Sequence, residues 1–144
     1  MNVNEKYWAL AQLAAQTAAD EKGLTNIDPR YLYCQFYHET GGFASWLAEN
    51  ANNFGGLKQF KDQPSWLTED MTSPEGDNYQ AFESPEDYAI YFGKYLGYYI
   101  ENGIDKATTL EEYAAALKDG GYFGDTLENY INGCQSAWDE AFSE

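Results

Sequence analysis

The chain has 144 residues, 44% of them hydrophobic, with 4 Trp, 13 Tyr and 8 Phe, and it carries 24 acidic against 8 basic side chains for a net charge of −16. At this length a single domain spanning residues 1–144 is expected, with enough apolar content for a sizeable core and too much for disorder. The charge excludes a nucleic-acid binder, which needs a basic footprint, and it opposes adsorption to anionic lipid.

Asn4 to about Lys22 reads as an Ala-rich helix with Trp8, Leu10, Ala11, Ala14, Ala15 and Ala18 available for a buried stripe, closed by Gly23. A second helix opens at Asp28 as N-cap with Pro29 in the first turn, runs to about Thr40 and stops at Gly41-Gly42. Three-and-four spacing puts Leu32, Gln35, Phe36 and Glu39 on one face of it. Residues 43–83 differ in character. Glycines, Pro64, Pro74 and short apolar runs such as Ser65-Trp66-Leu67 predict a small irregular or β lobe, with a strand around Asn78–Phe82.

Helices then resume. Ser84-Pro85-Glu86-Asp87 starts one that runs to about Glu101 and ends at Gly103. Thr109-Leu110-Glu111-Glu112 is a capping box for the next, which reaches about Lys118 and stops at Gly120-Gly121. The last helix spans about Thr126 to Phe142, with Tyr130, Ile131, Cys134, Trp138 and Phe142 toward the core. The expected fold class is α+β, mostly α, with a cleft between the helical part and the small lobe.

Glu39 is the residue on which chemistry centres. It lies one turn beyond Leu32 and Phe36 on a half-buried face, with Phe43 and Trp46 close behind. A carboxylic acid donates a proton to a glycosidic oxygen near neutral pH only if a desolvated pocket raises its pKa, and Glu39 fits that requirement by position. A helix-terminal glutamate in an ordinary surface ion pair is the competing reading of this residue alone.

Four stretches, in order, resolve that choice. Asp28-Pro29 with an apolar helix leading to Glu39-Thr40-Gly41, then Asn52-Asn53-Phe54-Gly55-Gly56-Leu57-Lys58, then Phe82-Glu83-Ser84 with Tyr88, and finally Leu117-Lys118-Asp119-Gly120-Gly121-Tyr122 with Asp125 and Tyr130 all resemble motifs of glycoside hydrolase family 73. This is the bacterial N-acetylglucosaminidase family of peptidoglycan hydrolases, which includes the flagellar rod-cap hydrolase, autolysins and phage lysins. The resemblance covers essentially the whole chain. It implies a lysozyme-like fold, cleavage of the β-1,4 bond on the N-acetylglucosamine side, and Glu39 as the essential acid. It also implies a second carboxylate in the small lobe. The nearest counterpart is Glu75 in Thr72-Ser73-Pro74-Glu75, at shorter spacing to Phe82 than the family pattern, with Glu69, Asp70 and Asp77 as competitors. The family's Arg-Tyr pair after the central helix is missing from Glu101-Asn102-Gly103-Ile104-Asp105, leaving Tyr98 or Tyr99 as substitutes.

Other residues carry two readings each. Phe54, Trp46 and Trp66 are sugar platforms or core of the small lobe. Asn53 binds an acetamido group or holds its turn. Tyr122 lines the cleft or packs as a helix-stop contact. His38, the only histidine, points about 100° from Glu39 on a helix and reads as structural. A lone histidine, and cysteines at 34 and 134 without flanking ligands, leave no metal site and no cofactor to expect; the two thiols read as buried and free.

The leading expectation is a metal-independent peptidoglycan hydrolase acting on glycan strands, as a monomer or as part of a larger lytic assembly. The alternatives are a muramidase or lytic transglycosylase on the same scaffold, and an inactive glycan-binding or phage structural module. No stretch reaches the ~18 apolar residues of a membrane span, so no membrane insertion is expected. The first residues lack the order of a signal peptide, which suggests synthesis in the cytoplasm and action on the wall after release or export, as for a phage lysin or a virion-associated lytic protein. Because cell walls are also anionic, activity is expected to rise with moderate ionic strength.

Overall fold

The computed structural model describes residues 1–57, 70–72 and 78–143. These form α1 (Glu5–Lys22), α2 (Pro29–Glu39), α3 (Trp46–Ala51), β1 (Asp70–Thr72), β2 (Asn78–Gln80), α4 (Pro85–Tyr95), α5 (Leu110–Asp119) and α6 (Leu127–Ala141). Two 3₁₀ segments, Leu96–Asn102 and Ile104–Lys106, link α4 to α5. The fold is mostly helical.

The helix starts follow from local chemistry. Asn4, Asp28, Ser45, Ser84, Thr109 and Thr126 each accept a hydrogen bond from a backbone N–H of the first turn that would otherwise lack a partner. Pro29 and Pro85 occupy first-turn positions where no N–H is needed. α1 stops because Gly23 takes up a left-handed conformation at φ 69° and its N–H reaches back to the last turn.

α1 packs on α4 through small residues. Ala11, Ala14 and Ala18 are fully buried, and a Cβ on Gly93 would sit 2.5 Å from the Ala14 carbonyl oxygen and 2.7 Å from the Thr17 Cβ. The two backbones therefore approach as only glycine permits. α2 runs through the middle of the core: Leu32, Cys34, Gln35 and Phe36 are buried, and the Phe36 ring meets Tyr88 and Phe92 edge-on at 5.5 and 5.3 Å. Both cysteines are buried and free, and burial pushes the Cys34 thiol up to about 12.

Two elements differ from the sequence expectation. The region after Gly42 contains a true helix, α3, started by Ser45, whose hydroxyl accepts from the Ala48 N–H at 3.1 Å. The long helix expected to reach Glu101 instead changes to 3₁₀ winding at Leu96. There the three-residue repeat keeps Leu96 and Tyr99 on one buried line, while Tyr98 and Ile100 stay exposed. β1 and β2 pair antiparallel with Asp70 opposite Gln80, Met71 opposite Tyr79 and Thr72 opposite Asn78. β2 is fastened to the preceding turn by the Gln80 N–H, which donates to the Leu57 carbonyl at 3.0 Å. The Phe82 N–H, just beyond it, donates to Ala51 at 2.9 Å.

Candidate active site

Glu39 is the last residue of α2. The helix ends there because Thr40 turns its side chain inward. The hydroxyl donates to the Phe36 carbonyl at 2.7 Å and accepts from the Phe43 N–H at 2.7 Å. The chain then passes through three positive φ values, 59° at Gly41, 84° at Gly42 and 69° at Phe43. For phenylalanine that conformation is strained. It is held by packing: the Phe43 ring stacks on Tyr7 at 4.0 Å and meets Tyr33 and Tyr37 at 5.3 Å. This sharp turn leaves the Glu39 carboxyl at the helix end.

A second turn, Asn52 to Leu57, closes over it. Asn53 is fully buried and its amide is fully engaged. The Nδ2 donates to the Leu57 and Gln80 carbonyls at 2.9 and 3.0 Å, and the Oδ1 accepts from the Gly55 and Leu57 N–H groups at 3.2 and 3.1 Å. The turn brings Gly56, at φ +64°, against the acid: a Cβ there would lie 3.4 Å from Glu39 Oε2. Gly55 is more constrained, since a Cβ would run into the Tyr88 hydroxyl and stand 2.8 Å from that of Tyr122. Tyr122 also donates to the Gly55 carbonyl at 2.7 Å, tying the end of α5 to this turn.

Tyr88, Tyr122 and Tyr130 surround the acid closely enough for its charge to act on each of them. Burial, and secondarily that charge, holds all three phenols well above their usual range, so they stay protonated. The Tyr88 and Tyr130 hydroxyls are buried without a hydrogen bond of good geometry, although the Tyr130 hydroxyl is near enough to favour the ionised form of Glu39. Burial dominates and pushes the Glu39 carboxyl up to about 7. The sole ion pair among the described residues joins Arg30 to Asp28, so no cation among them opposes that shift. A half-buried carboxyl with a pKa raised toward neutrality, ringed by neutral phenols, can carry a proton available for donation at that pH.

The other predicted site residues fall in different places. Asn53 and Phe54 sit inside the protein. Phe54 is 1% exposed and packs on Tyr7 and Tyr88, and the Asn53 amide is spent on its own turn, so neither presents a free group to a ligand here. Tyr122 is half-buried beside the Gly55 turn. Trp46 is half-buried at the start of α3. Glu75 and Trp66, with Glu69 and Asp77, lie outside the described residues, and Asp70 is placed only as backbone, in β1. The His38 ring meets Tyr130 edge-on at 4.8 Å and fills the space a side chain on Gly133 would need; burial lowers its pKa. Sequence reasoning assigned Tyr88 and Tyr130 to a helix entry and to the core, and missed them as the wall around the acid. The available signal was their position: each follows a helix cap, Ser84 or Thr126, by one turn.

Among the described residues no cluster of His, Cys, Asp or Glu could hold a metal ion. A family model described as mannosyl-glycoprotein endo-beta-N-acetylglucosaminidase matches residues 15–141. A search of curated proteins found no match. Solved structures of similar fold include a peptidoglycan hydrolase from Sphingomonas sp. A1, at 18% identity and TM-score 0.66 over 95% of this chain and 97% of that one. The glycoside hydrolase domain of FlgJ from Salmonella typhimurium is 21% identical at TM-score 0.61, over 92% and 84% of the two chains. The catalytic domain of the autolysin Auto from Listeria monocytogenes is 18% identical at TM-score 0.56, over 100% and 90%.

Proposed function

Because the chain belongs to the glucosaminidase family of glycoside hydrolases, we propose that it cleaves peptidoglycan strands at the β-1,4 bond between N-acetylglucosamine and N-acetylmuramic acid, on the N-acetylglucosamine side, with Glu39 as general acid. One observation carries this reading: a carboxyl at a helix end, raised to about 7 by burial and opposed by no cation among the described residues. The substrate is supported by the names of the similar structures, one a peptidoglycan hydrolase and another an autolysin.

In this reading the small lobe, of which β1 and β2 are part, forms the far wall of a substrate cleft, and the whole chain acts as one catalytic unit. Glu39 enters the cycle protonated and gives its proton to the departing glycosidic oxygen, which avoids expelling an alkoxide. Glu75 is the proposed second carboxylate, with Glu69, Asp70 and Asp77 as the alternatives. A separation of ~5 Å from Glu39 corresponds to retention and ~6.5–9.5 Å to inversion. The tyrosines keep water from the acid before the substrate arrives. The chain works on the wall after release or export, alone or within a lytic assembly, and none of the described helices is long and apolar enough to cross a membrane.

The test is digestion of purified peptidoglycan by wild type and Glu39→Gln, with mass spectrometry of the reduced products. Products ending in reduced N-acetylglucosamine, lost in the variant, establish both the bond and the acid. Ends of N-acetylmuramic acid or its anhydro form would assign the scaffold to a muramidase or a lytic transglycosylase. An absence of products from several wall types would leave a glycan-binding module.

A further inference from the structure

A second feature lies further along α4, its lining beginning at Tyr91, three residues or about 4.5 Å of helix rise beyond Tyr88. Lys22, Tyr91, Lys94, Tyr95, Gly97, Tyr98 and Ile100 line an open depression of about 310 Å³ between the end of α1 and the 3₁₀ segment. Its composition is unlike the rest of the molecule. The chain has 24 acids and 8 bases, yet this lining holds two lysines and no acid. Both lysines are exposed, and among the described residues neither takes part in an ion pair, the one such pair being Arg30 with Asp28.

Lys22 is laid along the surface of the 3₁₀ segment. The Lys22 stem crosses Gly97 so closely that a Cβ there would lie 3.1 Å from its Cδ. A long side chain laid along the surface in this way keeps its charged head in water above an apolar floor. The floor is aromatic: Tyr91 and Tyr95 lie 6.1 Å apart, and Tyr98 meets Tyr95 at 5.3 Å. Tyr98 is 76% exposed and Ile100 49%; Met1 is the one other exposed large hydrophobic residue among those described. A soluble chain rarely leaves such groups together in water without a partner for them.

Two cations in one lining with three tyrosines suit a small ligand that carries carboxylates on an apolar frame. We propose that this depression binds the carboxylate-bearing peptide stems of the wall, holding the strand at a point away from Glu39. The proposal rests on the peptidoglycan reading above, and it names what that substrate would touch besides the acid. It also answers the charge conflict, because a chain at −16 meeting an anionic wall needs a local positive face to settle on.

The probe is the stem peptide released from purified peptidoglycan by an amidase, with the same peptide amidated at its carboxylates as control. Binding is followed by two-dimensional NMR on the full chain. The expected result is salt-sensitive shifts at Lys94, Tyr98 and Ile100 with the free peptide and none with the amidated one. The double variant Lys22→Glu/Lys94→Glu, at exposed positions, should bind about tenfold more weakly, while its activity on strands stripped of peptide matches wild type. Tyr98→Ala should also weaken binding by a few fold. Equal binding of both peptides, shifts elsewhere, or no loss in the double variant overturns the proposal. So does a concentration-dependent dimer broken by Tyr98→Ala, which would give the face to a second copy. Because binding is read without turnover, hydrolysis without peptide binding fails this inference alone. Peptide binding without hydrolysis fails the catalytic reading alone.

Discussion

The two ends of the α4 region use the same residue type for opposite purposes. Around Tyr88, tyrosines are buried or half-buried, a carboxyl's charge acts on them, and none of the described residues pairs a cation with that carboxyl. Around Tyr98, tyrosines reach solvent, and the charges among them are lysines. In the first place the rings act by excluding water, which raises the pKa of an acid. In the second they supply apolar surface beside charges that remain hydrated. A tyrosine-rich, acidic composition therefore does not describe one surface property; burial decides which.

The comparison breaks most sharply at Glu39. Glu39→Gln keeps the shape of the site and removes the proton, so kcat on peptidoglycan should fall by about 10²–10⁴, the usual contribution of a general acid. Wild-type activity should decline as pH rises past about 7, where Glu39 loses its proton. An alkaline limb at far higher pH would mean that another group donates.

The same substitution has a stability signature. The folded-state pKa of Glu39 is raised to about 7 from an ordinary 4.5. The folded protein thus holds this proton where the unfolded chain has released it. The stability tied to it is fully present below about 4.5 and is lost as pH rises through about 7. Glutamine carries no such dependence. Glu39→Gln should match wild type near pH 4 and become more stable by roughly 2–3 kcal/mol above pH 7, since each tenfold change in proton affinity is worth about 1.4 kcal/mol. Urea unfolding at both pH values measures this; a difference independent of pH would show that the carboxyl is not desolvated.

Much of this was legible in the sequence because it depends on local rules. Caps at Asp28, Ser84 and Thr109 and the stop at Gly23 located helices in the sequence. The spacing of Leu32, Phe36 and Glu39 put the acid on a half-buried face. What stayed hidden depends on tertiary contact. Asn53 and Phe54 belong to a turn whose motif suggests a ligand, yet the turn folds inward to bond β2 and roof the acid, which no local pattern reports. The change to 3₁₀ winding at Leu96 likewise accompanies the packing of Tyr99, close against Gly120 in α5's cap.

Gly55 links the roof to the tyrosine wall, and it is the next point to test. Gly55→Ala places a methyl against the Tyr88 and Tyr122 hydroxyls, one of them buried and both held by packing. A cost of about 1–3 kcal/mol is expected, as for overpacking elsewhere. Activity should fall with it, because the displaced roof lets water reach Glu39. Alanine at Gly124, where the added Cβ meets nothing within 4 Å, is the matched control and should leave both unchanged.

The smallest effect sharpens the comparison most finely, because it separates burial from hydrogen bonding. The Tyr130 hydroxyl favours the ionised form of Glu39 against the dominant effect of burial. Tyr130→Phe removes that influence and leaves the ring against His38 and Phe123, which it meets at 4.8 and 3.8 Å. The Glu39 pKa should then rise, moving the alkaline limb of activity up by several tenths of a pH unit, and stability should hold or improve slightly because a buried hydroxyl without a good partner is gone. A limb that moves down would mean that Tyr130 supports the protonated acid. Tyr98→Phe at the exposed end should leave the limb where it is, since that ring acts on no carboxyl.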